Sequence, residues 1–420
     1  MDFGVLSDFN PWWQGKKVPK ELLGSRKRPF YRNLEKNLSN RFIILLYGLR
    51  RVGKTTALYQ LIEDLLDIET NPRNILYFSF DEKNAPISDI ISAFEEKALR
   101  KRIADSGRVF IFFDEIQKAH GWEEKIKVLY DLHHNLKIYL SGSAAVSLRK
   151  KSAESLAGRM LDMQVEPLSF PEFLEWKGAN APLQAPELAQ GGMIPLLADY
   201  LRKGGLPEIT LEEEDETIRN YVKNAVLEKI IYRDIPEEFG AKDTELLKTL
   251  LEIFIMEPGM IINVDRLSKD LARSKVTVAN YIEYLKGSLL IREIRNLRPN
   301  LLLSSRKAKK IYPASTAFCF AMRHDFYLDS RMEKIYETAA ALHMHAEYYY
   351  RNAFEVDFVE KTGDGKLVPV EVKHGRPDKS QLIAFMEKFG AEKGMLVTRE
   401  KTGEENGITT MTLWQFLLRE

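Results

Sequence analysis

The sequence predicts an α/β protein: a parallel sheet wrapped by helices, then helical modules, then a second and smaller α/β unit. Three stretches carry this expectation. The apolar run 42–47 meets a glycine-containing loop at 48–55, and a segment of helical period follows with Leu58, Leu61, Ile62, Leu65 and Leu66 on one face. A second apolar run, 109–113, ends in Asp114-Glu115. Near the end of the chain, 355–359 and 368–373 alternate apolar and polar residues around Gly363-Asp364-Gly365, the signature of a hairpin with one buried face.

At 420 residues the chain is long enough for several domains with their own cores. An apolar share of 45% and a charged share of 29% exclude a disordered or membrane-embedded chain. No apolar stretch approaches a membrane span, and Met1-Asp2-Phe3-Gly4-Val5 lacks a basic region followed by an apolar one. The single cysteine, Cys319, excludes an internal disulfide framework and suits a reducing cytoplasm, where the protein is expected. The net charge of +1 hides an uneven distribution. Lys16, Lys17, Lys20, Arg26, Lys27, Arg28 and Arg32 crowd a basic N-terminal arm, 1–40. Arg292, Arg295, Arg298, Arg306, Lys307, Lys309 and Lys310 form a second basic region, and 212–216 is an acidic run. Such basic stretches either track nucleic-acid phosphates or are plain solvated faces.

The first core is expected over 41–175. Gly48-Leu49-Arg50-Arg51-Val52-Gly53-Lys54-Thr55 fits the phosphate-loop pattern G-x-x-x-x-G-K-[ST] at every fixed position, between a strand and a helix start. Gly48 and Gly53 let backbone N–H groups close around phosphates. Lys54 brings a point charge for the β- and γ-phosphates of ATP, and Thr55 a hydroxyl for Mg²⁺. Arg51 and Thr56 complete the expected nucleotide-binding set. The run ending at Asp114 suits a parallel strand buried on both faces. Asp114 is expected to hold the Mg²⁺ shell, and Glu115 to orient and deprotonate the attacking water. Further strands are expected at 74–80 and 137–140. The latter leads into Ser141, which is either a γ-phosphate sensor on a strand inserted between the loop strand and the acidic strand or an ordinary turn or cap serine. Such an inserted strand implies the ASCE division of P-loop ATPases.

The chain resembles the AAA-type ATPases of archaea and bacteria that carry a C-terminal domain with a nuclease-like fold. The resemblance rests on Asn10-Pro11-Trp12-Trp13, 48–56, Phe113-Asp114-Glu115-Ile116-Gln117, Leu140-Ser141-Gly142-Ser143, Leu156-Ala157-Gly158-Arg159, 167–173 and Gly204-Gly205-Leu206-Pro207-Glu208, about the first half of the chain. It implies that Arg159 reaches a neighbouring subunit's γ-phosphate in a homo-oligomer, a ring being one such arrangement; a structural ion pair is the alternative.

A linker and helical lid are expected over 176–241. Over 242–300, helices near 246–254 and 264–272, a third helix capped by Ser274 and a strand at 289–294 follow the order of a winged helix-turn-helix. Lys275, Thr277, Asn280, Tyr281 and Tyr284 are expected to face outward, toward a DNA groove; a protein–protein module or lid is the alternative.

In the last unit, 315–420, residues two apart on a strand share a face, so Asp357, Glu371 and Lys373 are expected to emerge together. The Glu371-Val372-Lys373 triplet resembles the PD-(D/E)XK nuclease superfamily, with Glu337 matching its upstream acidic residue. The alternative is plain surface pairing. The expected whole is an Mg²⁺-dependent ATPase acting on DNA. The alternatives are a nucleotide-switched regulator whose C-terminal domain binds but never cuts, or a protein-remodelling ATPase.

Overall fold

The structure, a computed structural model, describes residues 1–143, 155–179, 186–298, 309–322 and 329–419. Residues 180–185 of the expected linker and lid, and Arg306 and Lys307 of the second basic region, lie outside the described residues. No helix among the described residues is long and apolar enough to cross a membrane. The chain divides into two compact units, Met1–Glu166 and Pro167–Glu420.

The first unit is built on β1 (Ile43–Tyr47), β2 (Ile75–Ser79), β3 (Val109–Asp114), β4 (Leu136–Gly142) and β5 (Met160–Gln164). All are parallel, in the order β2-β3-β4-β1-β5. Every residue of β1 to β4 is buried, which is why these strands read as unbroken apolar runs; β5, at an edge, is mostly exposed. β4 lies between β1 and β3, the inserted-strand order expected for the ASCE division. Parallel strands deliver their C-terminal ends to one sheet edge, so the loop after Tyr47 and the carboxylates after Phe113 emerge together.

The other edge strand, β2, is capped by side chains of the N-terminal arm. Asn10 acts like a strand residue: its Oδ1 accepts from Tyr77 N–H at 2.7 Å and its Nδ2 donates to Tyr77 O at 2.9 Å. The indole N–H groups of Trp12 and Trp13 both donate to Ile75 O, at 3.1 and 2.8 Å. An open edge is thereby closed without another strand. The arm then crosses the helix Lys54–Asp67. Gln60 Nε2 donates to Leu23 O and Arg26 O, while Lys27 and the Tyr31 hydroxyl both meet Asp64.

The second unit contains the helices Thr244–Met256, Val264–Asp270 and Lys275–Gly287. Each is N-capped by a short polar side chain: Asp243, Asn263 and Ser274. β6 (Met260–Ile261), β7 (Ile291–Asn296) and β8 (Lys309–Pro313) accompany them. After the helix Asp329–His343 come β9 (Tyr348–Arg351), β10 (Glu355–Lys361) and β11 (Leu367–Lys373), an antiparallel meander. The helix Ser380–Phe389 leads to β12 (Gly394–Thr398), parallel to β11, and then to β13 (Gly403–Glu405) and β14 (Ile408–Thr412). These strands form one sheet, β13-β14-β12-β11-β10-β9-β7-β8-β6. The join is β7 against β9, in parallel. Tyr350, Val356, Val359, Leu382, Phe385, Leu396 and Ile408 fill its core.

Asn10 is fully buried and its side chain also donates to Leu6 O at 2.8 Å, so Asn10→Ala removes three hydrogen bonds at once and is expected to cost about 1–3 kcal/mol. Urea unfolding followed by the fluorescence of Trp12 and Trp13 measures that loss.

Candidate active site

The phosphate loop is shaped by its contacts on both sides. Val165 N–H donates to Tyr47 O at 2.8 Å, drawing the exit of β5 against the loop. A Cβ on Gly48 would lie 2.1 Å from Val165 O, so only glycine fits. Arg51 and Gly53 take positive φ, 66° and 94°, just ahead of the helix start. Lys54 is buried, and its Nζ donates to Gly48 O at 3.0 Å and Leu49 O at 2.9 Å. Arg28, from the arm, donates to Val52 O at 2.9 Å and Glu166 O at 2.7 Å. Thr56 is on the first helical turn, half-buried beside Gly24.

Asp114 is buried at the end of β3. Its Oδ2 accepts from the Thr55 hydroxyl at 2.9 Å and from the Tyr77 hydroxyl at 3.1 Å, while its Oδ1 accepts from the Ser141 hydroxyl. Burial, and then the neighbouring charge of Glu115, push its carboxyl above the usual range despite these donors. The next residue, Glu115, is left-handed at φ 52°, a strained conformation for a non-glycine. Its carboxylate accepts from Gln117 Nε2 at 2.5 Å and from the Ser143 hydroxyl at 3.0 Å. Ser141 is a fully buried strand residue bound to Asp114, and it also accepts from Glu115 N–H at 3.3 Å. A hydroxyl and a carboxylate side by side at a helix start are oxygen donors suited to Mg²⁺, which keeps waters and substrate phosphates as its other ligands.

Arg159 immediately precedes β5, whose first residue pairs with Ile43, the first of β1. It is therefore at the sheet edge opposite the phosphate loop, about 20 Å away along the strand. Its Nε and Nη2 bind Asp131 at 2.9 and 3.2 Å, the structural ion pair weighed above.

In the second unit, Glu337, Asp357 and Glu371 are buried together. Asp357 Oδ2 accepts from Val372 N–H at 3.0 Å, and Glu371 Oε2 from Asp357 N–H at 3.2 Å. Lys373 Nζ is 2.9 Å from Glu371, and Lys310 Nζ is 2.7 Å from Glu355 and 3.8 Å from Asp357. Tyr312 donates to Glu337 at 3.2 Å. Burial, followed by the Asp357 charge, raises Glu337 and Glu371 to about 7. Lys373 and Lys310 are held above the usual lysine range, the acids outweighing the opposing effect of burial. Among the described residues no group of three His, Cys, Asp or Glu side chains is arranged to hold a metal ion.

One expected outward residue turns in. Tyr281 is buried, and its hydroxyl accepts from Asp243 N–H at 2.9 Å. It belongs to the inner stripe Val278, Tyr281, Ile282 and Leu285. Tyr284 stacks on Phe239. Lys275 and Asn280 are exposed and Thr277 half-exposed, with Lys275 paired to Asp265. The residues sequence reasoning missed are Tyr77, Gln117 and Ser143 around the first site, and Lys310 at the second.

The sheet order, loop and acidic strand end define a P-loop nucleotide-binding domain. Residues 40–174 match the model of the AAA domain, and 194–326 that of a domain of unknown function (DUF8612). The first unit thus carries an AAA-type P-loop ATPase domain. An uncharacterized protein of Methanocaldococcus jannaschii is 26% identical over 385 residues, covering 87% of this chain and 82% of that protein. An uncharacterized protein of Haemophilus influenzae is 26% identical over 254 residues, 59% of this chain and 61% of its own. Among solved structures, a Walker-type ATPase of Pyrococcus abyssi aligns at TM-score 0.47 and 18% identity, covering 73% of this chain and 98% of that one. The Orc1 protein of Aeropyrum pernix in complex with DNA aligns at TM-score 0.37 and 13% identity, over 73% and 95%.

Glutamates held protonated in the fold favour it at low pH. Their contribution is fully present below about 4.5 and is lost as pH rises through about 7. Urea unfolding of the full chain between pH 5 and 7.5 is expected to show stability falling by up to about 1.4 kcal/mol per pH unit for each proton involved, against a flatter profile in Glu337→Gln.

Proposed function

We propose that this chain is an Mg²⁺-dependent ATPase that works as a homo-oligomer on DNA. The observation that carries the reading is the meeting of Thr55, Asp114, Glu115 and Lys54 at the edge where β1 and β3 end. In the proposed reaction Lys54 leaves the Gly48 and Leu49 carbonyls for the β- and γ-phosphates of ATP, which the loop N–H groups surround. Thr55 and Asp114 would hold Mg²⁺, which would supply positive charge against the charge that develops on the phosphates. Glu115, released from Gln117 and Ser143, orients a water in line with the γ-phosphorus and accepts its proton. Ser141 acts through Asp114 rather than by direct contact with phosphate. Since Arg159 is at the far sheet edge, it serves a neighbouring subunit's nucleotide after exchanging Asp131 for phosphate. The helix Lys275–Gly287 and its neighbours are read as a winged helix, with Lys275, Thr277 and Asn280 toward DNA.

A second reading concerns the C-terminal module. The helix Asp329–His343, the meander β9-β10-β11, the helix Ser380–Phe389 and the parallel β12 fit a nuclease-like fold with Glu337, Asp357, Glu371 and Lys373 at its centre. The ammonium groups of Lys310 and Lys373 already balance those carboxylates, which favours a module that binds DNA over one that cuts it.

Glu115→Gln is expected to keep ATP binding and lose turnover by about 10²–10⁴-fold, while Lys54→Ala loses binding as well. ATP turnover of the wild type should rise with single-stranded, duplex or four-way junction DNA at low salt. Failure of all three to bind rules out the DNA reading. Arg159 is tested against its partner. If it acts in trans, Arg159→Ala lowers turnover at least tenfold and Asp131→Ala does not; equal effects show a structural pair only.

A further inference from the structure

The apolar strand β2 brings one polar group to the nucleotide site that the reaction above does not use, the Tyr77 hydroxyl. Tyr77 is nearly fully buried, with its ring 4.5 Å from that of Tyr59 and 6.4 Å from that of Phe9. A phenol hydroxyl beside a carboxylate oxygen can only donate to it, and Tyr77 does so at 3.1 Å. Its proton points at Asp114 Oδ2, the same oxygen that accepts from Thr55. Asn10 fixes the backbone of Tyr77 on both its N–H and its C=O, so the ring cannot slide along the edge.

We propose that Tyr77 is a positioning residue for the metal-holding carboxylate, anchored from outside the sheet by Asn10. The proposal rests on the ATPase reading. When Thr55 offers an oxygen lone pair to Mg²⁺ its hydroxyl must orient with the metal, whereas the Tyr77 donor to Asp114 Oδ2 is set by a buried ring. Ser141 holds only Oδ1, on the β4 side. Tyr77 is then the neutral donor, fixed on a buried strand, that keeps Oδ2 in place. A neutral donor suits this place, because a cation there would compete with the metal for the same oxygen. Residues that orient a metal ligand through a hydrogen bond typically govern affinity for the metal by 10- to 100-fold.

The test is Tyr77→Phe in the full chain, which keeps the ring and removes only the hydroxyl. A fluorescent, non-hydrolysable ATP analogue is titrated in EDTA and again across a range of Mg²⁺ concentrations, with thermal melting as a check on folding. Expected are unchanged affinity in EDTA, a half-saturating Mg²⁺ concentration at least tenfold higher, and a fall in kcat that excess Mg²⁺ largely restores. An unchanged Mg²⁺ dependence overturns the proposal. Equal weakening in EDTA and in Mg²⁺ also overturns it, by showing a purely structural role. A wild type that binds no nucleotide in either condition sinks the ATPase reading itself, and the proposal with it.

Discussion

The burial of the Asp114 carboxylate is the constraint around which the first unit is arranged. A carboxylate removed from water needs donors, and here they come from three directions. β2 supplies the Tyr77 hydroxyl, β4 the Ser141 hydroxyl, and the helix after the phosphate loop supplies Thr55. β3 must therefore lie between β2 and β4, and β1 must be near enough to deliver the loop. The observed order β2-β3-β4-β1 satisfies all of these demands together. Glu115 takes up the remaining strain. Its left-handed backbone ends the strand abruptly and turns the second carboxylate toward Gln117 and Ser143.

The two buried acid clusters resolve the same electrostatic problem in opposite ways. Around Asp114 the donors that touch the carboxylate are neutral hydroxyls, so most of its negative charge stays available to an incoming cation. Around Asp357 and Glu371 the chain brings its own ammonium groups, Lys310 from β8 and Lys373 from β11. Removing Lys310 or Lys373 would leave buried carboxyl groups without their cation, so the parts of the cluster are mutually dependent. The nine-stranded sheet makes this possible. Without the β7–β9 pairing, β8 would have no register with β10, and Lys310 no fixed place beside Glu355.

The first site was legible wherever chemistry demands a fixed residue at a fixed spacing: the glycines, Lys54, Thr55, and a double carboxylate after an apolar strand. What surrounds it was not. Tyr77 lies in a run that reads as pure strand core, because a phenol in a buried strand has the same pattern value as a phenylalanine. Tyr281 erred the other way: its polar tip suggested an outward face, but the period of Val278, Ile282 and Leu285 places the ring inside. Lys310 was read with its neighbours as part of a basic surface. Only long-range pairing of β8 reveals that it is buried while Lys309 binds Glu293. Arg159 was legible as an arginine with two possible roles, and its partner Asp131 could not be named, since the contact joins residues 28 apart through the fold.

The basic N-terminal arm shows why a charge run cannot be assigned from composition. Part of its charge is consumed within the first unit: Lys17 lies near Glu63 and Asp67, Lys27 binds Asp64, and Arg28 is buried against Val52 O and Glu166 O. The last contact matters most. A phosphate loop that turns its N–H groups inward leaves carbonyls facing away, and a buried carbonyl needs a donor. Arg28 provides it for Val52 while also tying the loop to the chain leaving β5. The loop is thus held from the arm before it and from the strand after it, in addition to the helix it opens. Both bonds leave one guanidinium nitrogen, Nη1, which joins the two carbonyls through a single atom.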